Sequence, residues 1–229
     1  MSFEDENANN YESYPCPHCG GETHIDHDAN EWYCVDCDWD APNCKKVTEV
    51  IENPNVMIDL ETIGNDYTGI FTTIGACVFN PLTGVIGSKF YESISWESAV
   101  AAGRTITPDT IKWWMEQSKD ATREILADGK PLDIVLSDFT KFVPKGSKVW
   151  GNGCNFDIGK LETAYGYYNV PWKFYDIRDV RTVCELAKGL VDRKDVAFIG
   201  ERHNALDDAI HQATYVSKMI MAIEELKNK

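Results

Sequence analysis

Asp59 and Glu61 stand two apart at the end of the apolar run Val56–Leu60. Alternate side chains of a β-strand share a face, so the pair presents two carboxylates to one side. Two ionised carboxylates at close range repel, and a hard divalent cation that prefers oxygen ligands is their natural neutraliser. Asp157 closes the segment Gly151–Asp157, and Asp208 follows His203 by five residues. Four carboxylates are about what two magnesium or manganese ions require, because such ions keep several waters and also bind a substrate phosphate. An imidazole beside them supplies a base that exchanges its proton near neutral pH. Taken singly, each residue has a structural role open to it: Asp157 as a helix N-cap, Asp208 as a first-turn acid complementing the helix dipole, His203 as a loop residue.

A second group of chemically competent residues lies upstream. Five of the eight cysteines fall within residues 16–44, and four of them form Cys16-Pro-His-Cys19 and Cys34-Val-Asp-Cys37, with fourteen residues between the pairs. Each CxxC turn lets two thiolates converge on one ion, and two turns complete a tetrahedron suited to zinc. Gly20-Gly21 fits the positive φ that follows such a turn; Asp38 fits the second turn less well. A disulfide staple is the alternative, disfavoured in a reducing compartment, and a redox CxxC belongs at a strand-to-helix junction of an α/β domain. Residues 14–46 resemble the zinc ribbons of nucleic-acid enzymes and transcription proteins. One structural Zn2+ held by Cys16, Cys19, Cys34 and Cys37 then supplies the folding free energy that so short a segment lacks.

The elements that must position the acids follow from pattern. Val56–Leu60 reads as a buried strand; residues 69–79 and 85–91 flank the turn Asn80–Gly84 as a hairpin. Helices are expected over 108–118, 120–128 and 132–143, then a strand over 148–151 and a helix over 156–168. A strand near Trp172–Tyr175 and a helix over 180–190 come next. Asn204 opens the last helix as N-cap, and the stripe Ile210, Ala213, Val216, Met219, Ile220, Ile223 docks it. Alternating strands and helices define an α/β domain over 54–229, preceded by an acidic N-terminus (1–13), the ribbon (14–46) and a linker (47–53).

The ordered set Asp59-Leu-Glu61-Thr62, Asn155-Phe-Asp157 and His203-Asn-Ala-Leu-Asp-Asp208 resembles the three motifs of the DEDDh 3′-to-5′ exonucleases. Segments Ile111–Ser118, Trp150-Gly-Asn-Gly and Arg178-Asp-Val-Arg-Thr182 are similar to the branch that includes bacteriophage exonuclease A and a mycobacterial exoribonuclease. The resemblance implies a ribonuclease H-like fold, a mixed five-stranded sheet with helices on both faces. It also implies two Mg2+ or Mn2+ ions on Asp59, Glu61, Asp157 and Asp208, His203 as general base, and release of nucleoside 5′-monophosphates from a single-stranded DNA or RNA 3′ end. Leu60 and Thr62 are placed near the terminal 3′-hydroxyl, and Phe156 beside the strand. Asp207 takes no metal role. Trp113 and Trp114 differ by about 100° around a helix, so one belongs to the core and the other is free to stack a base.

Charge sharpens the reading. The net charge of −15 argues against duplex coating or an anionic membrane surface, and no apolar window is long enough to span a bilayer. Residues 1–46 carry 11 acidic and 2 basic residues (2 − 11 = −9), which favours a protein partner for the ribbon over nucleic-acid backbone. An acidic start with no apolar stretch makes the cytoplasm the expected compartment, that of a host if the source is viral, as the phage resemblance points. Two alternatives stay open: a catalytically silent nuclease-fold binding module recruited through its ribbon, and a hydrolase of very short oligonucleotides. For the ribbon, elemental analysis is expected to find one zinc per chain. Cys16→Ser or Cys34→Ser should lose it while hydrolysis of a short single strand persists; unchanged zinc would contradict the assignment.

Overall fold

The computed structural model describes residues 54–167 and 169–227 together with four short N-terminal strands. The chain divides into two units, Met1–Val50 and Ile51–Lys229. In the first, β1 (Tyr14–Pro15), β2 (Glu22–Asp26), β3 (Glu31–Cys34) and β4 (Asp40–Ala41) form an antiparallel sheet in that order. Cys16, Cys19 and Cys37, and the side chain of Cys34, lie outside the described residues, and so does the zinc expected on them.

The second unit is built on a five-stranded mixed sheet. Its strands are β5 (Asn55–Thr62), β6 (Phe71–Phe79), β7 (Ile86–Ser93), β8 (Lys148–Gly151) and β9 (Ile177–Asp179). Their spatial order is β7-β6-β5-β8-β9; β5, β6 and β7 run antiparallel, while β8 and β9 run parallel to β5. Side-chain alternation along β5 sorts the sheet into two faces. Val56, Ile58 and Leu60 join one core with residues of α4 (Leu132–Phe142) and α5 (Cys154–Tyr165). Met57 joins a second core with Trp150, Val180 of α6 (Val180–Leu186) and the apolar stripe of α7 (Ala205–Lys227). Helices therefore cover both faces, and Asp59 and Glu61, in phase with Met57, point to the α7 side.

Local departures from the sequence pattern have local causes. β5 runs two residues beyond Leu60, because its ladder with β6 continues to a bulge between Glu61 and Thr62; Asp59 lies within the strand and not at its end. No strand forms at Trp172–Tyr175. Trp172 is buried edge-on to Tyr165, but Phe174 is 83% exposed and residues Phe174–Asp176 turn as a 3-10 helix, so the sheet edge falls to Ile177–Asp179. The short helix α1 (Trp96–Ala101) follows the N-cap Ser95, whose Oγ accepts from Ser98 N–H; α2 (Pro108–Met115) stops short of 118 because Ser118 intervenes as the N-cap of α3 (Lys119–Ile125), which itself ends three residues before 128.

One glycine decides where α7 begins. Gly75 pairs with Asp59 across the β5–β6 ladder, and a Cβ there would lie 2.1 Å from the carbonyl carbon of Ala205 and 2.2 Å from Leu206 N. The missing side chain lets the first turn of α7 rest directly on the sheet beside Asp59, which is what carries Asp208 to the strand acids. Gly75→Val, which forces backbone apart, is expected to destabilise the fold by roughly 3 kcal/mol or more. Denaturant unfolding checks this; a loss under about 1 kcal/mol would show that α7 has room to shift.

Candidate active site

The α7 side of β5 gathers the acids. One carboxylate oxygen each from Asp59, Glu61 and Asp208 lies within 4.8 Å of the others. That spacing suits a single ion with oxygen ligands about 2.0–2.4 Å away. Asp157 joins from the parallel side of the sheet: it sits in the first turn of α5, is 4% exposed, and its carboxylate accepts a hydrogen bond from Leu60 N–H. Gly151 lies beneath it, where a Cβ would meet Asp157 Oδ2 at 3.4 Å. The N-cap of α5 is Gly153, so capping does not explain Asp157.

Burial raises every acid, and neighbouring carboxylates add to it at Asp59 and Glu61. Burial first, then repulsion from Asp157, Glu61 and Asp208, raises the Asp59 carboxyl well above the usual carboxylate range. Burial and the charges of Asp208, Asp157 and Glu124 do the same to Glu61. Asp157 is pushed up to about 7 by burial, although Leu60 N–H, Lys160 and Arg181 pull the other way. Asp208 is raised by burial against the opposing pull of His203 N–H and nearby cations. A site that makes ionisation this costly is suited to bound cations, and the all-oxygen donor set matches magnesium or manganese.

His203 is held at the cluster by its backbone. It adopts φ 65°, uncommon for a residue with a side chain, and its N–H donates to Asp208 Oδ2 at 2.8 Å. Its ring packs edge-to-face against Trp113 at 5.2 Å and Trp114 at 6.0 Å. Trp114 is the core member of that pair, 2% exposed with its Nε1–H on the Thr62 carbonyl at 2.8 Å; Trp113 is 43% exposed. Asn204 caps α7 through Oδ1, accepting from Leu206 and Asp207 N–H. Asp207 accepts from Glu201 N–H at 2.8 Å and so braces the loop.

Three supporting groups were not legible as such. Gln212, one turn beyond Asp208, donates from Nε2 to Asp59 Oδ1 at 2.7 Å and fixes that carboxylate; its periodicity from Asp208 was the available signal. Asp179 accepts from Gly153 N–H at 3.1 Å and Cys154 N–H at 2.7 Å, stapling the turn that leads to Asp157 onto β9. Tyr91 donates to Glu124 and accepts from Asn204 Nδ2, tying α3 and β7 to the His203 loop. The sequence-expected substrate residues divide between two clefts. Leu60, Thr62, Trp113 and Trp114 line one of about 380 Å3 together with Glu61, whereas Phe156 lines another of about 560 Å3.

A five-stranded mixed sheet flanked by helices, with four convergent acids and a loop histidine, defines a ribonuclease H-like exonuclease of the DEDDh type. Residues 54–220 match the Rv2179c-like 3′–5′ exoribonuclease domain, and the chain belongs to that family; it is a 3′–5′ exonuclease. It is 23% identical over 214 positions to an exodeoxyribonuclease of Enterobacteria phage T4, covering 74% of this chain and 91% of that protein. Among solved structures, Escherichia coli exonuclease I bound to a dT13 oligonucleotide aligns with TM-score 0.55 at 12% identity, over 77% of this chain and 43% of that one. Pop2p of S. pombe, in a form with Mg2+ and Mn2+ bound, aligns with TM-score 0.52 at 15% identity, over 78% and 86%. Cell-death related nuclease 4 aligns with TM-score 0.50 at 15% identity, and the chain spans 64% of its length. Among the described residues no helix is long and apolar enough to cross a membrane.

The raised carboxyls fix the sign of a pH effect. A carboxyl whose folded pKa exceeds its unfolded value holds its proton more tightly in the fold, so it opposes folding increasingly as pH rises from about 4 through its folded value. In EDTA the protein is expected to lose thermal stability between pH 5 and 8, the window that spans Asp157 at about 7. Millimolar Mn2+ should reverse the loss by binding the ionised, folded state. A melting temperature that rises with pH in EDTA would contradict this account.

Proposed function

We propose that the chain removes nucleotides from the 3′ end of single-stranded DNA or RNA by a two-metal-ion mechanism, with His203 as general base. The observation that carries this reading is the convergence of Asp59, Glu61 and Asp208 within 4.8 Å, with the His203 loop hydrogen-bonded to the same Asp208. Two Mg2+ or Mn2+ ions on Asp59, Glu61, Asp157 and Asp208, when bound, supply charge stabilisation at the phosphoryl group and acidify the attacking water. The protein's own contribution is positional. Asp208 holds the His203 backbone and the two tryptophans pack against its ring; in this reading the imidazole takes the water's proton as the terminal phosphodiester breaks. Leu60, Thr62, Trp113 and Trp114 receive the terminal nucleoside, Trp113 offering the exposed ring, and Phe156 contacts the strand beyond. The product is a nucleoside 5′-monophosphate. The acidic first unit serves as a zinc ribbon that recruits a protein partner.

Phage exodeoxyribonuclease and exoribonuclease relatives support DNA and RNA in equal measure, and very short oligonucleotides are the second substrate class. End-labelled DNA and RNA series from two to twenty nucleotides separate these. His203→Ala should lower turnover roughly 10²–10⁴-fold with Mn2+ binding retained, because an imidazole acting as base does not ligate metal. Asp208→Ala should weaken both. Parental turnover in His203→Ala would remove histidine from the mechanism, and parental turnover in Asp208→Ala would overturn the site.

A further inference from the structure

Asp59 on β5, Gly75 on β6 and Tyr91 on β7 stand directly opposite one another in the two antiparallel ladders, so their side chains share the face that α7 covers. The first turn of α7 rests on Gly75, with Asp59 on one side of it and Tyr91 on the other. Tyr91 lines neither cleft and is not one of the acids, yet its hydroxyl reaches the start of that helix. It accepts from Asn204 Nδ2 at 3.2 Å and donates to the Glu124 carboxylate of α3.

Valence fixes the direction of this chain. Asn204 Oδ1 already accepts from Leu206 N–H at 3.1 Å and Asp207 N–H at 3.2 Å, so the amide nitrogen is what faces Tyr91, and it can only donate. The phenol is partly buried; burial first, then the hydrogen bond and charge of Glu124 and the charges of Glu61 and Asp207, hold its pKa above the usual range, so it has one proton to give. Glu124 takes it. Among the described residues no lysine, arginine or histidine pairs with Glu124, and its side-chain hydrogen bond is the one from Tyr91. The line of donors from Asn204 through Tyr91 thus ends on a carboxylate, and each bond in such a line polarises the next.

Asn204 directly follows His203, where support matters most. His203 holds φ 65°, a conformation that a residue with a side chain keeps only when its surroundings over-determine it. Asp208 fixes the N–H of His203, and Tyr91 fixes the residue on its other side. Resting on the reading of His203 as general base, we infer that Tyr91 is a positioning residue for the imidazole, acting through Asn204 and anchored on Glu124. In this role Tyr91 touches neither substrate nor cation, so its loss alters turnover and not binding.

Tyr91→Phe removes one oxygen and keeps the ring. With a four-nucleotide DNA or RNA strand, whichever the parent cleaves faster, and saturating Mn2+, kcat is expected to fall about tenfold with KM within about twofold. Calorimetric Mn2+ affinity should match the parent's. On the His203→Ala background the same change should cost less than about twofold, because the group it positions is gone. Glu124→Gln, which keeps an acceptor for the phenol, should lose less than Glu124→Ala. A parental kcat in Tyr91→Phe overturns the inference, and so does an equal loss with and without His203, which is what a loosened fold would give. Weakened Mn2+ binding in Tyr91→Phe also overturns it, by showing that the phenol acts through the charge of Glu124 on Glu61. If His203→Ala alone turns over at the parental rate, the general-base reading fails and the positioning role fails with it.

Discussion

The gathering of four buried or half-buried carboxylates, with Asp59 and Glu61 repelled by their neighbours, is the constraint that the rest of the nuclease unit accommodates. Glu61 and Asp157 are 7% and 4% exposed, and every acid of the cluster is held above the usual carboxylate range. A fold left to itself would splay such groups apart or neutralise them with lysine and arginine. Here the cations that approach do so from outside. Lys160 and Arg181 lower Asp157 only in part, and Arg202 acts on Asp208 from a distance. On the proposed two-metal reading, divalent ions would recover the stability forgone by keeping the acids together, coupling metal binding to folding.

Holding the acids in that arrangement takes contributions from both faces of the sheet. On one, Gly75 lets α7 lie on the strands, so Asp208 and Gln212 reach the pair on β5 from successive turns of one helix. On the other, the parallel pairing of β8 with β5 and the Asp179 staple bring the first turn of α5, and Asp157 with it, to the strand edge. The His203 loop is braced from the outside by α2 and α3 through the two tryptophans, Ser118 on Glu201 and the Tyr91–Glu124 pair. Three separate stretches of sequence meet at the acids, held by backbone amides at Asp208 and Asp179 and by the Gln212 side chain at Asp59, which limits how far the acids can drift.

The motifs were legible because their geometry is local. An i, i+2 pair on a strand faces one way by alternation alone, and the four residues between His203 and Asp208 span one helix start. The apolar stripe of α7 needed only helical periodicity, and one buried and one exposed tryptophan follow from their 100° separation. What stayed hidden depends on tertiary neighbours. Gln212 shares a helix face with Asp208, but its hydrogen bond to Asp59 across 153 residues is set by tertiary packing. The aromatic run Trp172–Tyr175 imitates a strand, and only the pairing of Ile177 with Val149 reveals the true edge. Phe156 was read beside its motif but belongs to a different cleft from Leu60 and Thr62, because the start of α5 turns it away from the first.

The central claim is that the carboxylates remain partly protonated until divalent ions displace the protons. Calorimetric titration of EDTA-stripped protein with Mn2+, repeated in buffers of different ionisation enthalpy, counts those protons directly. At pH 6, below the value of about 7 for Asp157, binding is expected to release protons, and the number should fall as pH rises. Binding that releases none at pH 6, or no binding at millimolar Mn2+, would contradict the account.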